Sequence, residues 1–136
     1  MNCIDFNVHS SGHGDFIDIT QDICERIKNI NVSQGIASIF VRGVTCATVL
    51  MRYEEGTKAD IKNLLQQLAP IEHKYVHEVT TQDDNGYAHL ISSLLGQSLV
   101  IPIRDSQLAV SDSHRIIMMD YDPKESMRKV YLSVIG

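Results

Sequence analysis

The sequence predicts an α+β fold: a mostly antiparallel sheet with about three helices packed on it, in a single domain covering residues 1–136. Strand-like runs outnumber helical ones, and they do not alternate with helices as a doubly wound parallel fold requires. The helical stretches are apolar on one side only, as helices lying on a sheet must be. A chain of this length buries a core without staples, and neither an internal repeat nor a low-complexity linker divides it.

Residues Cys3 to Ser10 are extended in composition, Ser11-Gly12-His13-Gly14 reads as a turn, and Asp15 to Ile19 alternates, which together predict a hairpin. Thr20 is a good N-cap for a first helix carrying Ile23, Ile27 and Ile30 on one face, with Asp22 and Glu25 near its start, ending before Gly35. Ile36 to Arg42 and Val44 to Tyr53 are β-rich on either side of Gly43, giving two strands or one kinked strand. From Thr57 to Ala69, Ile61, Leu64, Leu65 and Leu68 form the stripe of a second helix stopped by Pro70. A polar loop over 71–85 leads to a short third helix ending at Gly96, and strand-like runs follow at Ser98 to Ile103, Arg115 to Tyr121 and Arg128 to Ile135.

Composition narrows the function. Apolar residues make up 43% of the chain and no run approaches the ~20 residues of a membrane helix, so a soluble protein with no membrane partner is expected. The stretch Met1 to Phe6 lacks a basic region followed by an apolar one, which predicts a cytoplasmic location. The cysteines at 3, 24 and 46 fit neither a disulfide framework nor a CxxC metal site and are read as reduced thiols. A net charge of −5 with scattered basic residues argues against a nucleic-acid partner.

The most distinctive chemistry lies between Asp83 and Gly96. At about 100° per residue, Tyr87, Ala88, Leu90, Ile91, Leu94 and Leu95 fill one arc of the third helix, leaving Asn85, His89, Ser92 and Ser93 on the other. Asp83, Asp84 and Asn85 can cap the helix or coordinate a divalent cation, and the helix N-terminus can hold a phosphate. Simple capping with a surface histidine explains the same residues. His73 and His77 are spaced as ligands on one helix face would be, but Pro70 and the polar loop argue against a helix there. The small residues Gly43 to Thr48 allow close approach of a ligand or of another backbone. Cys46 has no visible activating base and is read as a small buried residue.

Several segments together resemble the YjbQ-like family, described as secondary thiamine-phosphate synthase-type proteins. They are Asp18-Ile19-Thr20, Gly43 to Ala47, Tyr53 to Gly56, Leu68-Ala69-Pro70, Asp83 to Gly86 with His89, Ser93 to Gly96, and the closing strand to Gly136. Gly43, where many members have histidine, and Asp-Asp-Asn-Gly before the helix are similar to an archaeal branch. The resemblance implies a homotrimer with a pocket near the subunit boundary. It further implies a weak activity joining a pyrimidine methyl diphosphate to a thiazole phosphate, with pyrophosphate as leaving group. A divalent metal, Mg²⁺ or Zn²⁺, and a helix N-terminus would stabilise that leaving group.

Carried over by position, His89, Asp84 and Asn85 become the catalytic candidates, His77, His89 and Asp84 the metal ligands, and Gly86 and Thr45 the cofactor contacts. Four places depart from the family pattern. Arg52 stands where glutamate is expected and Gln82 where histidine is expected, Ser111-Asp112-Ser113-His114 replaces Gly-Thr-Trp-Gln, and Ser106 replaces a turn glycine. Two readings result: a transferase of diphosphate chemistry, or a non-catalytic homotrimer that binds a metal or a small phosphorylated molecule in an altered site.

Overall fold

Ile116, Ile117, Met118 and Met119 are consecutive and all essentially inaccessible to solvent, so the strand that carries them must be covered on both faces. In the computed structural model, which describes residues 1–136, that strand is central to a layered α+β fold. In chain order the elements are β1 (Asn2–Ser10), β2 (Asp15–Asp18), α1 (Thr20–Ile30), β3 (Gln34–Arg42), β4 (Cys46–Arg52) and α2 (Glu55–Leu68). There follow α3 (Val76–Thr81), α4 (Gly86–Leu95), β5 (Ser98–Arg104), β6 (Gln107–Leu108), β7 (His114–Asp120) and β8 (Ser126–Ile135). No helix is long and apolar enough to cross a membrane.

All strand pairs are antiparallel, but they form two sheets rather than the one expected: a five-stranded sheet ordered β1-β8-β3-β5-β6 and a three-stranded sheet ordered β2-β7-β4. The inner face of the larger sheet supplies Ile39, Val41, Ile101, Val130 and Leu132 to a core shared with Ile23 and Ile27 of α1, with Ile19 at its N-cap, and with Ile116 and Met118 of β7. The other face of β7 presents Ile117 and Met119 to a second core with Leu65 of α2 and Tyr87, Ala88 and Ile91 of α4. The three-stranded sheet is therefore the middle layer.

The expected hairpin between residues 3 and 19 does not form. β1 pairs with β8 and β2 with β7, so the turn at 11–14 carries the chain from one sheet to the other. The segments after β3 and after β7 do the same, since β3 lies in the larger sheet with β8, and β4 in the smaller with β7. Three sheet-switching corners thus meet at one end of the molecule.

Local chemistry sets the helix boundaries. Thr20, expected as N-cap, is the first helical residue of α1, and the carboxylate of Asp18 takes the capping role by accepting from Thr20 N at 2.9 Å and Thr20 Oγ1 at 2.5 Å. Thr20 Oγ1 in turn accepts from Ile116 N at 2.8 Å, fastening α1 to β7. Glu54 caps α2 by accepting from Gly56 N and Thr57 N at 2.8 and 2.6 Å. The polar loop holds a fourth helix, α3, so about three helices becomes four. His73 lies outside α3 and packs edge-on against Tyr75, so it shares no helix face with His77. On α4 the predicted apolar arc is rotated: Leu90 and Leu94 are half or more exposed, while Ser92 is buried.

Candidate functional site

The corners are tied by charge. Asp120, at the end of β7, is fully buried, and Arg128 of β8 donates to it from Nε at 2.7 Å and from one terminal nitrogen at 3.2 Å. That same nitrogen reaches Thr45 Oγ1 at 3.1 Å and Asp122 at 3.3 Å. Thr45 Oγ1 donates to Asp120, and the backbone N–H of Tyr121 donates to Thr45 O. From the remaining corner, His13 N and Gly14 N donate to the carbonyls of Asp122 and Asp120, each at 2.8 Å. Burial pushes the Asp120 carboxyl up, but the Arg128 hydrogen bonds and the Asp122 N–H outweigh it and hold the group below its ordinary range.

The Gly43–Thr45 turn is pinned from its other side by α4. Ser92 Oγ donates to Cys46 O at 2.5 Å, and Gln97 Nε2 donates to Gly43 O and to Ser92 Oγ. His89 Nδ1 lies 3.0 Å from Val44 O. A carbonyl only accepts, so Nδ1 carries the proton and the lone pair is on Nε2. Next to it, His77 Nε2 lies 3.0 Å from Asn85 Oδ1 and 3.3 Å from Thr81 Oγ1, whose own proton goes to His77 O, which leaves the lone pair of His77 on Nδ1. The two imidazole rings meet edge-on with centroids 4.5 Å apart.

The structure thus brings together three of the residues singled out from sequence: His77, Asn85 and His89. Asn85 bounds α4 without capping it, because its side chain is committed to His77. Asp84 is exposed in the preceding loop, and no group of three His, Cys, Asp or Glu side chains is assembled for a metal ion anywhere in the chain. Gly86 marks a close packing contact, since an added Cβ would lie 2.7 Å from Cβ of Tyr75. Thr45 belongs to the Asp120 network rather than to the imidazole pair. Cys46 is buried as expected, and burial followed by the nearby Asp120 pushes its thiol up to about 12, which removes it as a nucleophile.

Most of the departures gather elsewhere. Arg52 pairs in register with His114, and Arg52 lines a shallow depression with Asp112 and Ser113. Ser106, Ser111, Asp112 and His114 border a neighbouring cleft against α1. β4 runs from the imidazole end at Cys46 to Arg52, roughly 20 Å away at ~3.3 Å per residue. The changes at 52 and 111–114 are neighbours, and within one chain they lie remote from His89. Gln82, the left-handed C-cap of α3, stands near the pair. At Gly43 an added Cβ would fall 2.8 Å from Cys46 Sγ, so a histidine there would require Cys46 to move. Asp120, Asp122 and Arg128 escaped the sequence reading; an acid ending an unbroken apolar run from Ile116 to Met119 was the available signal.

The fold is that of a two-sheet α+β protein, and in this chain a pair of imidazoles stands beside a sheet-switching corner. Residues 4–136 match the family described as UPF0047 protein YjbQ-like, and the chain belongs to that family. It is 30% identical to a UPF0047 protein of Archaeoglobus fulgidus over 116 residues, 85% of this chain and 88% of the relative. It is 26% identical to one of Methanothermobacter thermautotrophicus, over 95% of this chain and 88% of the relative. Among solved structures, a YbjQ-like protein of unknown function from Sulfolobus solfataricus superposes with a TM-score of 0.90 at 25% identity, covering 99% of this chain and 98% of the other. A hypothetical protein from Aeropyrum pernix does so with a TM-score of 0.90 at 26% identity, covering 100% and 99%.

Removing Arg128 strands a buried carboxylate. Arg128→Met should lower stability at neutral pH by about 3–5 kcal/mol. Asp120 is depressed in the native protein, so its contribution is present above the ordinary carboxylate range and is lost as pH falls through its lowered value. In the variant, the Arg128 hydrogen bonds and charge no longer offset burial, so the group moves up from its native value even though the Asp122 N–H and Thr45 Oγ1 still donate to it, and the penalty is relieved on protonation. Urea unfolding should therefore show a gap between the two proteins that is largest at neutral pH and narrows below about pH 4; a pH-independent gap would contradict the assignment.

Proposed function

We propose that this protein binds a divalent metal through His77 and His89 and, through that metal, a small phosphorylated molecule. The edge contact of two imidazoles, each with one nitrogen held by an oxygen acceptor, is the observation that carries this reading. Such outer partners fix the tautomer of a metal-binding histidine and raise its basicity. Two nitrogen donors suit Zn²⁺ better than Mg²⁺, which prefers oxygen. The metal would supply positive charge for a phosphate; water or the ligand itself would complete its coordination. Asp83 and Asp84 oppose a bare anion at the start of α4, so the metal precedes the phosphate. Equilibrium dialysis with elemental analysis should find zinc retained by the protein, binding at least tenfold weaker in Asn85→Ala, and lost in the His77→Ala, His89→Ala double variant. Equal retention by the native protein and the double variant would remove the reading.

A second reading is the weak thiamine-phosphate synthase-type transfer that the family resemblance implies. It is favoured by the uncapped N-terminus of α4, whose first N–H groups face no side-chain acceptor. With Mg²⁺ or Zn²⁺ and both precursors, pyrophosphate release should exceed that of His89→Ala; identical rates would exclude catalysis at this histidine.

We further propose a homotrimer. Ile36, Phe40, Val100, Tyr131 and Ile135 are exposed on β3, β5 and β8, with Phe40 and Tyr131 in register and their rings 6.4 Å apart. Light scattering should give three times the chain mass, and Phe40→Lys should reduce it; a monomeric native protein would refute this.

A further inference from the structure

Ser106, Ser111, Asp112 and His114 take no part in the imidazole pair, and they border a cleft of about 350 Å³ whose other wall is α1. Its size lies within the roughly 300–1,000 Å³ of small-molecule sites. In a chain whose net charge is −5, this cleft is lined by Lys28 and Arg115, with Asp112 its only carboxylate.

Three donors at the cleft are oriented but unmatched. The Arg115 guanidinium is held from one side: Nη1 donates to Asp112 O at 2.9 Å and to His114 O at 2.8 Å, while Nε stands 3.7 Å from the Asp18 carboxylate, which leaves Nη2 without a partner. His114 is set by Ser111, whose backbone N–H and hydroxyl lie 3.3 and 3.0 Å from Nδ1. A backbone N–H only donates, so the lone pair is on Nδ1 and the ring proton on Nε2, where no protein atom accepts it. Lys28, in the last turn of α1, has neither an ion-pair nor a hydrogen-bond partner in the chain. Cys24, half-buried in the same cleft, feels both cations: burial pushes its thiol up, and Lys28 and then Arg115 act against that rise. Arg52, in register with His114 on β4, brings a further positive charge to this end of β7. Asp18 is already engaged by Thr20 and Arg115.

We infer that this cleft binds the phosphate group of a small molecule without a metal, at a site separate from the imidazole pair. Arg115 Nη2, the Lys28 ammonium and His114 Nε2 donate to separate oxygens of the phosphate. A carboxylate, with one charge and two oxygens, leaves one of the three donors unmatched.

NMR titration of the native protein with inorganic phosphate, in EDTA and at constant ionic strength, tests this cleft whatever the outcome of zinc binding at His77 and His89. The resonances of Cys24, His114 and Arg115 should shift saturably with a Kd of roughly millimolar, and acetate should bind several-fold more weakly. Lys28→Gln, whose side chain holds nothing in the fold, should weaken phosphate several-fold at unchanged thermal stability. Asp112→Asn, which removes the opposing charge, should tighten it. Absence of saturation, shifts scattered over the surface instead of gathered at the cleft, or an affinity unchanged in Lys28→Gln would overturn the site. Acetate binding as tightly as phosphate would overturn the ligand class.

Discussion

The Arg128–Asp120 pair is the constraint on which the other features rest. Two sheets are connected at one end by three separate corners, and each corner exposes backbone groups that no ladder can satisfy. A buried carboxylate at the end of β7, neutralised by a guanidinium from β8, supplies a fixed point to which Thr45 bonds directly while the carbonyls beside it take the N–H groups of residues 13 and 14. Burying such a pair is costly in itself, so its value here is in specifying where the corners meet.

That specification reaches the imidazoles. The corner residues that bond to Asp120 on one side are held by Ser92 and Gln97 on the other, and the carbonyl between these anchors orients His89. His77 is then set against His89 from a short helix whose own packing is slight, because none of its residues is buried. Asn85 completes the arrangement by serving His77 instead of its own helix, exchanging a cap for an oriented ring. Placing the two cores on opposite faces of one sheet has a further effect: α2 and α4 are separated from the larger sheet by a full layer of side chains.

Much of this architecture was legible residue by residue. The isoleucine stripe of α1, the start and stop of α4 and the alternation in β8 follow from local periodicity, and they appear close to the expected places. The hairpin failed because alternation in β1 and β2 is satisfied equally by partners distant in sequence, and the left-handed run at 12–14 turns the chain across sheets instead of back along one. A helical wheel places Leu90 and Leu94 inward because it gives an arc but not the direction of its neighbour; the polar Ser92 is buried because it bonds the β4 backbone. α3 is not legible in the sequence because six residues with no buried side chain leave no periodic signal.

By itself the sequence determined the fold class, the helix carrying His89 and the small-residue segment beside it, since each depends on spacing between near neighbours. Only the tertiary structure decided which of the singled-out residues act together. It joined His77 to His89 and Asn85, left Asp84 in solvent, drew Thr45 into the Asp120 network, and grouped Arg52 with His114 at the far end of β4. The Thr45 and Arg52 pairings link residues separated by up to 83 positions and depend on strand register, which no local pattern encodes, whereas His77 meets His89 and Asn85 because α3 packs against the start of α4.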